Sequence, residues 1–133
     1  SSLLGLKASG VNGQGFAFQG YLPADNGGRA AALQRLEAES RRCRTTQIFI
    51  ETPYRNRAFL STLTEVLHAG TMVCVACDLT DPEREWVRTL PVSRWKEELR
   101  RNPEFAPIEK RPAVFLLYAG EREAVQQTKK KRK

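Results

Sequence analysis

Residues 45–55, Thr45-Thr46-Gln47-Ile48-Phe49-Ile50-Glu51-Thr52-Pro53-Tyr54-Arg55, run from an apolar segment into a carboxylate and then a Thr-Pro pair. The short apolar run bounded by turn residues reads as a strand. Thr52 is a candidate helix cap, and Pro53 suits a first helical turn, where the N–H it lacks would have no partner anyway. A strand passing directly into a helix start is the building unit of α/β domains, and crevices at the carboxyl ends of strands are where such domains gather ligands. Glu51, Tyr54 and Arg55 therefore form a candidate cluster of acid, aromatic and base. The competing role for the same residues is simply to close the helix N-terminus.

Working outward, the pattern of strand then helix continues. Gly15 to Pro23 has aromatic residues at alternate positions before a proline stop, which predicts a short strand, and Ala24 to Gly28 reads as a turn-rich loop. Arg29 to about Glu39 predicts an amphipathic helix with Leu33 and Leu36 inward. After the strand 46–50, a helix is expected from Pro53 to about His68, carrying Phe59, Leu60, Leu63, Val66 and Leu67 at helical spacing and ended by Gly70. The nearly continuous apolar run 71–77 suits a central strand. A polar turn, 78–82, separates it from an alternating strand over 84–92, for which antiparallel pairing is expected. Ser93 is a candidate cap for a helix through Arg101, a proline-containing loop follows, and 112–118 predicts a last buried strand. Ser1 to Gly10 reads as the end of a helix. The expected fold is a three-layer α/β domain with a mixed, roughly five-stranded sheet and about three to four helices.

A chain of 133 residues is one ordinary domain. Residues 1–120 are assigned to it, and 121–133 form a basic tail. Of the net charge of +7, five units come from Lys129 to Lys133, leaving +2 on the rest. Such a run attracts phosphate by counterion release, and its bland alternative is a solubilising end, favoured by the lack of interleaved aromatic residues. Apolar residues make up 41% of the chain, with no run near the about 20 needed to span a bilayer, so no membrane partner is expected. Three cysteines, an odd number, suggest a reduced cytoplasmic chain. Cys74 and Cys77 match a C-x-x-C pattern, but inside a strand residues three apart face opposite sides, so buried structural thiols are expected rather than a redox or zinc pair. A single histidine, His68, excludes a two-histidine zinc site, and no metal is expected. Gly10 to Gly15 is glycine-rich but precedes a strand, which is the wrong context for a phosphate loop.

Three clusters remain for chemistry: Ile50-Glu51-Thr52, Cys77-Asp78-Leu79-Thr80, and Lys110-Arg111-Pro112-Ala113 at the start of the last strand. If their strands are neighbours, they line one crevice suited to a flat ligand such as adenine. None holds a nucleophile and base pair, which favours binding over covalent catalysis.

Gly20-Tyr21-Leu22-Pro23, the Ile-Phe-Ile-Glu-Thr-Pro-Tyr-Arg segment from Ile48, Asp78-Leu79-Thr80 after an apolar strand, and Lys110-Arg111-Pro112-Ala113-Val114-Phe115-Leu116-Leu117-Tyr118 occur in that order. Together they resemble the landmarks of the tetrapyrrole methylase superfamily, the class III S-adenosylmethionine-dependent methyltransferases. The pairing of Gly-Tyr-Leu-Pro with Glu-Thr-Pro-Tyr-Arg is most similar to the branch that methylates a ribose 2′-hydroxyl of small-subunit ribosomal RNA. The resemblance implies the C-terminal half of a tetrapyrrole methylase-like fold, with a missing N-terminal domain of the same enzyme as partner. It further implies S-adenosylmethionine as cofactor, ribosomal RNA as a partner and a homodimer. The alternatives are a tetrapyrrole (corrin or porphyrin) methyltransferase, or, from the charge of residues 129–133, a non-enzymatic RNA-binding domain using the basic tail. Ile50, Glu51, Asp78, Leu79, Thr80, Pro112 and Ala113 would border the cofactor. Tyr54 and Arg55 would face substrate. Glu51 is the one candidate base, ranked below a positioning role. Cys77, Asp78 and Asp81 depart from the ribosomal branch, which usually places basic residues around this motif.

Overall fold

The computed structural model describes residues 15–23 and 25–119. The helix end expected before Gly10 and the basic tail lie outside the described residues. Along the chain come β1 (Gly15–Tyr21), α1 (Asn26–Cys43), β2 (Thr45–Ile50), a 3-10 turn (Pro53–Arg55) leading into α2 (Asn56–Val66), β3 (Met72–Cys77), β4 (Trp86–Pro91), α3 (Val92–Arg101) and β5 (Ala113–Tyr118).

Helix ends differ from the sequence expectation for identifiable reasons. α1 begins earlier than Arg29, because the Asp25 carboxylate accepts the Gly28 N–H at 2.7 Å and caps a first turn made of weak helix formers. It continues past Glu39 to Cys43 and stops at Arg44, which takes the left-handed conformation (φ 56°) and donates its N–H to Ser40 O. Thr52 makes no side-chain cap. The proline segment winds as a tighter turn, and the α-helix starts only at Asn56, whose buried amide donates to Ile108 O and Arg111 O, both at 2.7 Å. Ser93 is not a cap either, since α3 begins at Val92. The first-turn amides of Val92 and Ser93 donate to Thr71 O and Ala69 O at 2.9 Å, so the preceding loop satisfies groups that a side chain would otherwise have to meet.

The five strands form one mixed sheet in the order β1-β2-β5-β3-β4. β1 and β2 are parallel, and the other three pairings are antiparallel, including β3 with β4 across the short polar turn. β2 and β3 therefore run the same way on either side of a reversed β5. On one face, Phe49, Val75, Phe115 and Leu117 pack with Leu33 and Leu36 of α1, Phe59, Leu60 and Leu63 of α2, and Trp95 of α3. Phe59 sits edge-on to both Phe49 and Phe115, with ring centroids at 5.5 and 4.9 Å, and joins α2 to the two central strands. All three described helices lie on this face. The opposite face carries a smaller apolar cluster of Ile48, Cys74, Ala76, Leu116 and Tyr118. Cys74 and Cys77 fall in different clusters, on opposite faces, as their spacing within a strand requires.

A groove at the end of the central strands

Because β5 runs against β2 and β3, the exits of those two strands and the start of β5 meet at one end of the sheet. Register makes this concrete: Ile50 pairs with Val114, Val114 with Ala76, and Cys77 with Ala113. A groove of about 500 Å³ opens there. The seven residues expected to border a cofactor, Ile50, Glu51, Asp78, Leu79, Thr80, Pro112 and Ala113, all line it. So do Tyr21, Pro53, Ala76 and Val114, which the sequence reading did not select. Strand alternation is the signal that would have found Ala76 and Val114, since they stand two residues from the selected Asp78 and Pro112. Tyr21 could be found only from the pairing of β1 with β2, where it sits opposite Ile50.

The groove has apolar walls and two carboxylates that are already engaged. Glu51 is buried, and its Oε2 lies 2.8 Å from Arg29 Nη2 and 3.6 Å from Arg55 Nε. Its Oε1 accepts the Thr52 N–H at 3.2 Å. Arg29 also donates through Nε to Pro23 O at 3.0 Å, so one guanidinium ties the loop after β1 to the exit of β2. Asp78 Oδ2 accepts from Arg111 Nε at 2.7 Å. Asp78 has φ 53°, a left-handed conformation that Asp tolerates better than most residues. Its N–H reaches Pro112 O and its C=O accepts the Asp81 N–H, both at 3.0 Å, which turns the chain sharply and carries Leu79 and Thr80 along the groove. Lys110, also at positive φ, donates its N–H to Pro53 O at 2.9 Å and closes the loop before β5 against the 3-10 turn.

Tyr54 and Arg55 do not line the groove. Tyr54 is 72% exposed, and Arg55 reaches toward Glu51 from outside. His68 is elsewhere, with its backbone N–H donating to Glu37 Oε2 at 2.8 Å. Cys77 turns into the helical core, and burial pushes its thiol up to about 11, with Arg111 opposing the shift and Asp78 adding to it. It is thus neither placed nor charged to act as a nucleophile. Among the described residues no cluster of His, Cys, Asp or Glu could hold a metal ion, and no helix is long and apolar enough to cross a membrane. Apolar walls with neutralised carboxylates at the rim equip the groove to bind a flat, polar-edged molecule.

No family model matches the sequence. The chain is 35% identical over 113 residues to ribosomal RNA small subunit methyltransferase I of Escherichia coli O157:H7, a match that covers 81% of this chain and 38% of that protein. It is 33% identical over 88 residues to the protein of the same name from Pseudomonas aeruginosa, covering 66% of this chain and 29% of the relative. The chain thus spans well under half the length of these curated relatives. Among solved structures, the methyltransferase CobJ aligns with TM-score 0.46 and 20% identity, over 86% of this chain and 46% of that one. Uroporphyrin-III C-methyl transferase from Thermus thermophilus, complexed with S-adenyl homocysteine, aligns with TM-score 0.46 and 18% identity, over 89% and 50%. Over most of its length, the chain resembles one part of ribosomal RNA small subunit methyltransferase I, the branch to which its motifs point.

Proposed function

We propose that this chain is the C-terminal portion of a class III S-adenosylmethionine-dependent methyltransferase, that it supplies one wall of the cofactor cleft, and that the complete enzyme methylates a ribose 2′-hydroxyl of small-subunit ribosomal RNA. Residues 1–120 would make up that domain and 121–133 its basic tail. One observation carries the reading: seven residues selected from sequence motifs converge on a single groove, in a chain 35% identical to a ribosomal RNA methyltransferase.

The residues fit the adenosine end of such a cofactor. Ile50, Pro112 and Ala113 offer apolar surface for a flat base, and the backbone at Leu79 and Thr80 borders the same space. The engaged state of Glu51 favours a positioning role over that of a base. When bound, S-adenosylmethionine supplies an already activated methyl group, so holding the acceptor in line accounts for much of the acceleration. Tyr54 and the half-exposed Arg55, just outside the groove, are suited to approach the RNA. A cytoplasmic homodimer completes the reading.

Calorimetry with S-adenosylhomocysteine on the full-length protein tests the cofactor assignment. Saturable binding is expected, and its absence ends the assignment. The 133-residue chain alone should bind weakly or not at all, because only one wall is present. Incubation of the full-length protein with S-adenosylmethionine and small-subunit RNA, followed by mass spectrometry of nuclease digests, should reveal a 2′-O-methyl nucleoside. Methylation of a tetrapyrrole instead would replace the RNA part of the proposal.

A further inference from the structure

β1 is an edge strand, and it carries three aromatic side chains in the open: Phe16 is 39% exposed, Phe18 67% and Tyr21 63%. Phe16 pairs with Thr46 and Phe18 with Ile48, which places both on the same face of the sheet. Tyr21 is three residues beyond Phe18, and in a regular strand it would point to the other face. The register instead shifts between Phe18 and Gly20, where Gly20 adopts φ 70°, and Tyr21 pairs with Ile50. The bulge thus returns Tyr21 to the face of Phe16 and Phe18. Three aromatic rings form one row, and its last member lines the groove. This face is the one on which no described helix packs.

We propose that Phe16, Phe18 and Tyr21 are a stacking platform for the bases of single-stranded RNA and lead the strand toward the groove. The inference rests on the RNA substrate proposed above and assigns the residues that would hold it. Four observations favour RNA as the occupant. Side chains two apart on a strand stand about 7 Å from each other, close to twice the ~3.4 Å rise of stacked bases, so successive rings can each meet a base. Gly15-Phe16-Ala17-Phe18, with Tyr21 three residues on, reproduces the glycine and aromatic positions of the sheet motif with which RNA-recognition domains stack bases. That motif's first basic residue and its valine are replaced here by Gln14 and Gln19, and the fold around it differs. Charge is present at both ends of the row. Arg44 is exposed beside Thr45, the partner of Gly15, and Arg55 is half-exposed beyond Ile50, the partner of Tyr21. Finally, the row is continuous with the groove through Tyr21, so a nucleotide stacked there lies next to the proposed cofactor.

The test measures binding of a short fluorescein-labelled single-stranded RNA to the full-length protein by anisotropy across a salt series. Phe18→Ala should weaken binding about tenfold, with a similar further loss on adding Phe16→Ala, while the salt slope stays unchanged because no phosphate contact is removed. Phe18→Trp should restore the affinity. Phe18 is 67% exposed, so Phe18→Ala and Phe18→Trp should keep the wild-type unfolding midpoint, which is checked in parallel for every variant. RNA affinity unaffected by both substitutions overturns the platform and leaves the RNA substrate standing. A dimer that dissociates on Phe18→Ala, with RNA affinity retained, assigns the row to contact between copies and likewise overturns it. No RNA binding by the unsubstituted full-length protein overturns the platform, whereas the RNA substrate and the cofactor are judged separately by the methylation assay and by calorimetry.

Discussion

Arg29 Nη2 lies 2.8 Å from Glu51 Oε2, and the two side chains are 5% and 6% exposed. The guanidinium also stands over the Phe59 ring, 4.9 Å from its centroid, so the pair couples the groove rim to the core. Removing one member leaves the other buried and unpaired. Arg29→Met should therefore destabilise the chain by about 3–5 kcal/mol in urea unfolding. Replacing both, as Arg29→Met with Glu51→Leu, should recover much of that loss. A single-substitution cost below about 1 kcal/mol would show that the pair does not hold the rim.

Val114 is half-buried and lines the groove, paired with Ile50 on one side and Ala76 on the other. Val114→Phe adds bulk into open space rather than into packed core, so the unfolding midpoint should change little. Binding of S-adenosylhomocysteine by the full-length protein should fall by tenfold or more, about 1.4 kcal/mol. Unchanged affinity would move the cofactor away from this groove.

Much of this arrangement was legible because it depends on local pattern. The strand from Thr45 to Ile50 declares itself by its apolar run, and α2 by the spacing of Phe59, Leu60 and Leu63. Convergence of Ile50, Asp78 and Pro112 required only that their strands be neighbours. What was not legible is long-range. Arg29 and Glu51 are 22 residues apart and Asp78 and Arg111 are 33 apart, so nothing in the local sequence identifies them as partners. The same holds for Thr52 and Ser93, which looked like caps. In the case of Ser93, loop carbonyls meet the amides first. The bulge at Gln19 was hidden because it depends on pairing with β2.

Cys43 is exposed, while Cys74 and Cys77 are buried. One of the three thiols should react with a chromogenic disulfide under native conditions, and all three after unfolding. Three fast native thiols would contradict the packing of β3.

The Cys77 thiol is raised from 9.0 to about 11 by burial, so the folded state holds this proton more tightly than the unfolded one. Its contribution to stability is intact below about pH 9 and lost progressively as pH rises toward 11. The slope is at most about 1.4 kcal/mol per pH unit from this one group. Cys77→Ala should unfold with a shallower alkaline dependence across that window, read from urea midpoints. An identical slope in both proteins would assign the alkaline loss to other groups.

Asp25 and Gly28 set the start of α1 together. A Cβ on Gly28 would come within 2.9 Å of both Asp25 carboxylate oxygens, so the glycine is required by the close approach of the cap and not by its own backbone conformation. Asp25→Ala should cost about 1 kcal/mol, the usual loss for an N-cap. Gly28→Ala, normally favourable inside a helix by up to about 1 kcal/mol, should instead be neutral or destabilising here, because it displaces the carboxylate. With the carboxylate already gone, the same substitution has nothing to clash with. In the Asp25→Ala background, Gly28→Ala should therefore turn stabilising, and a double-mutant cycle of urea midpoints should return a coupling of about 1 kcal/mol. Additive effects would mean that the cap and the glycine act independently, and the early start of α1 would need another cause.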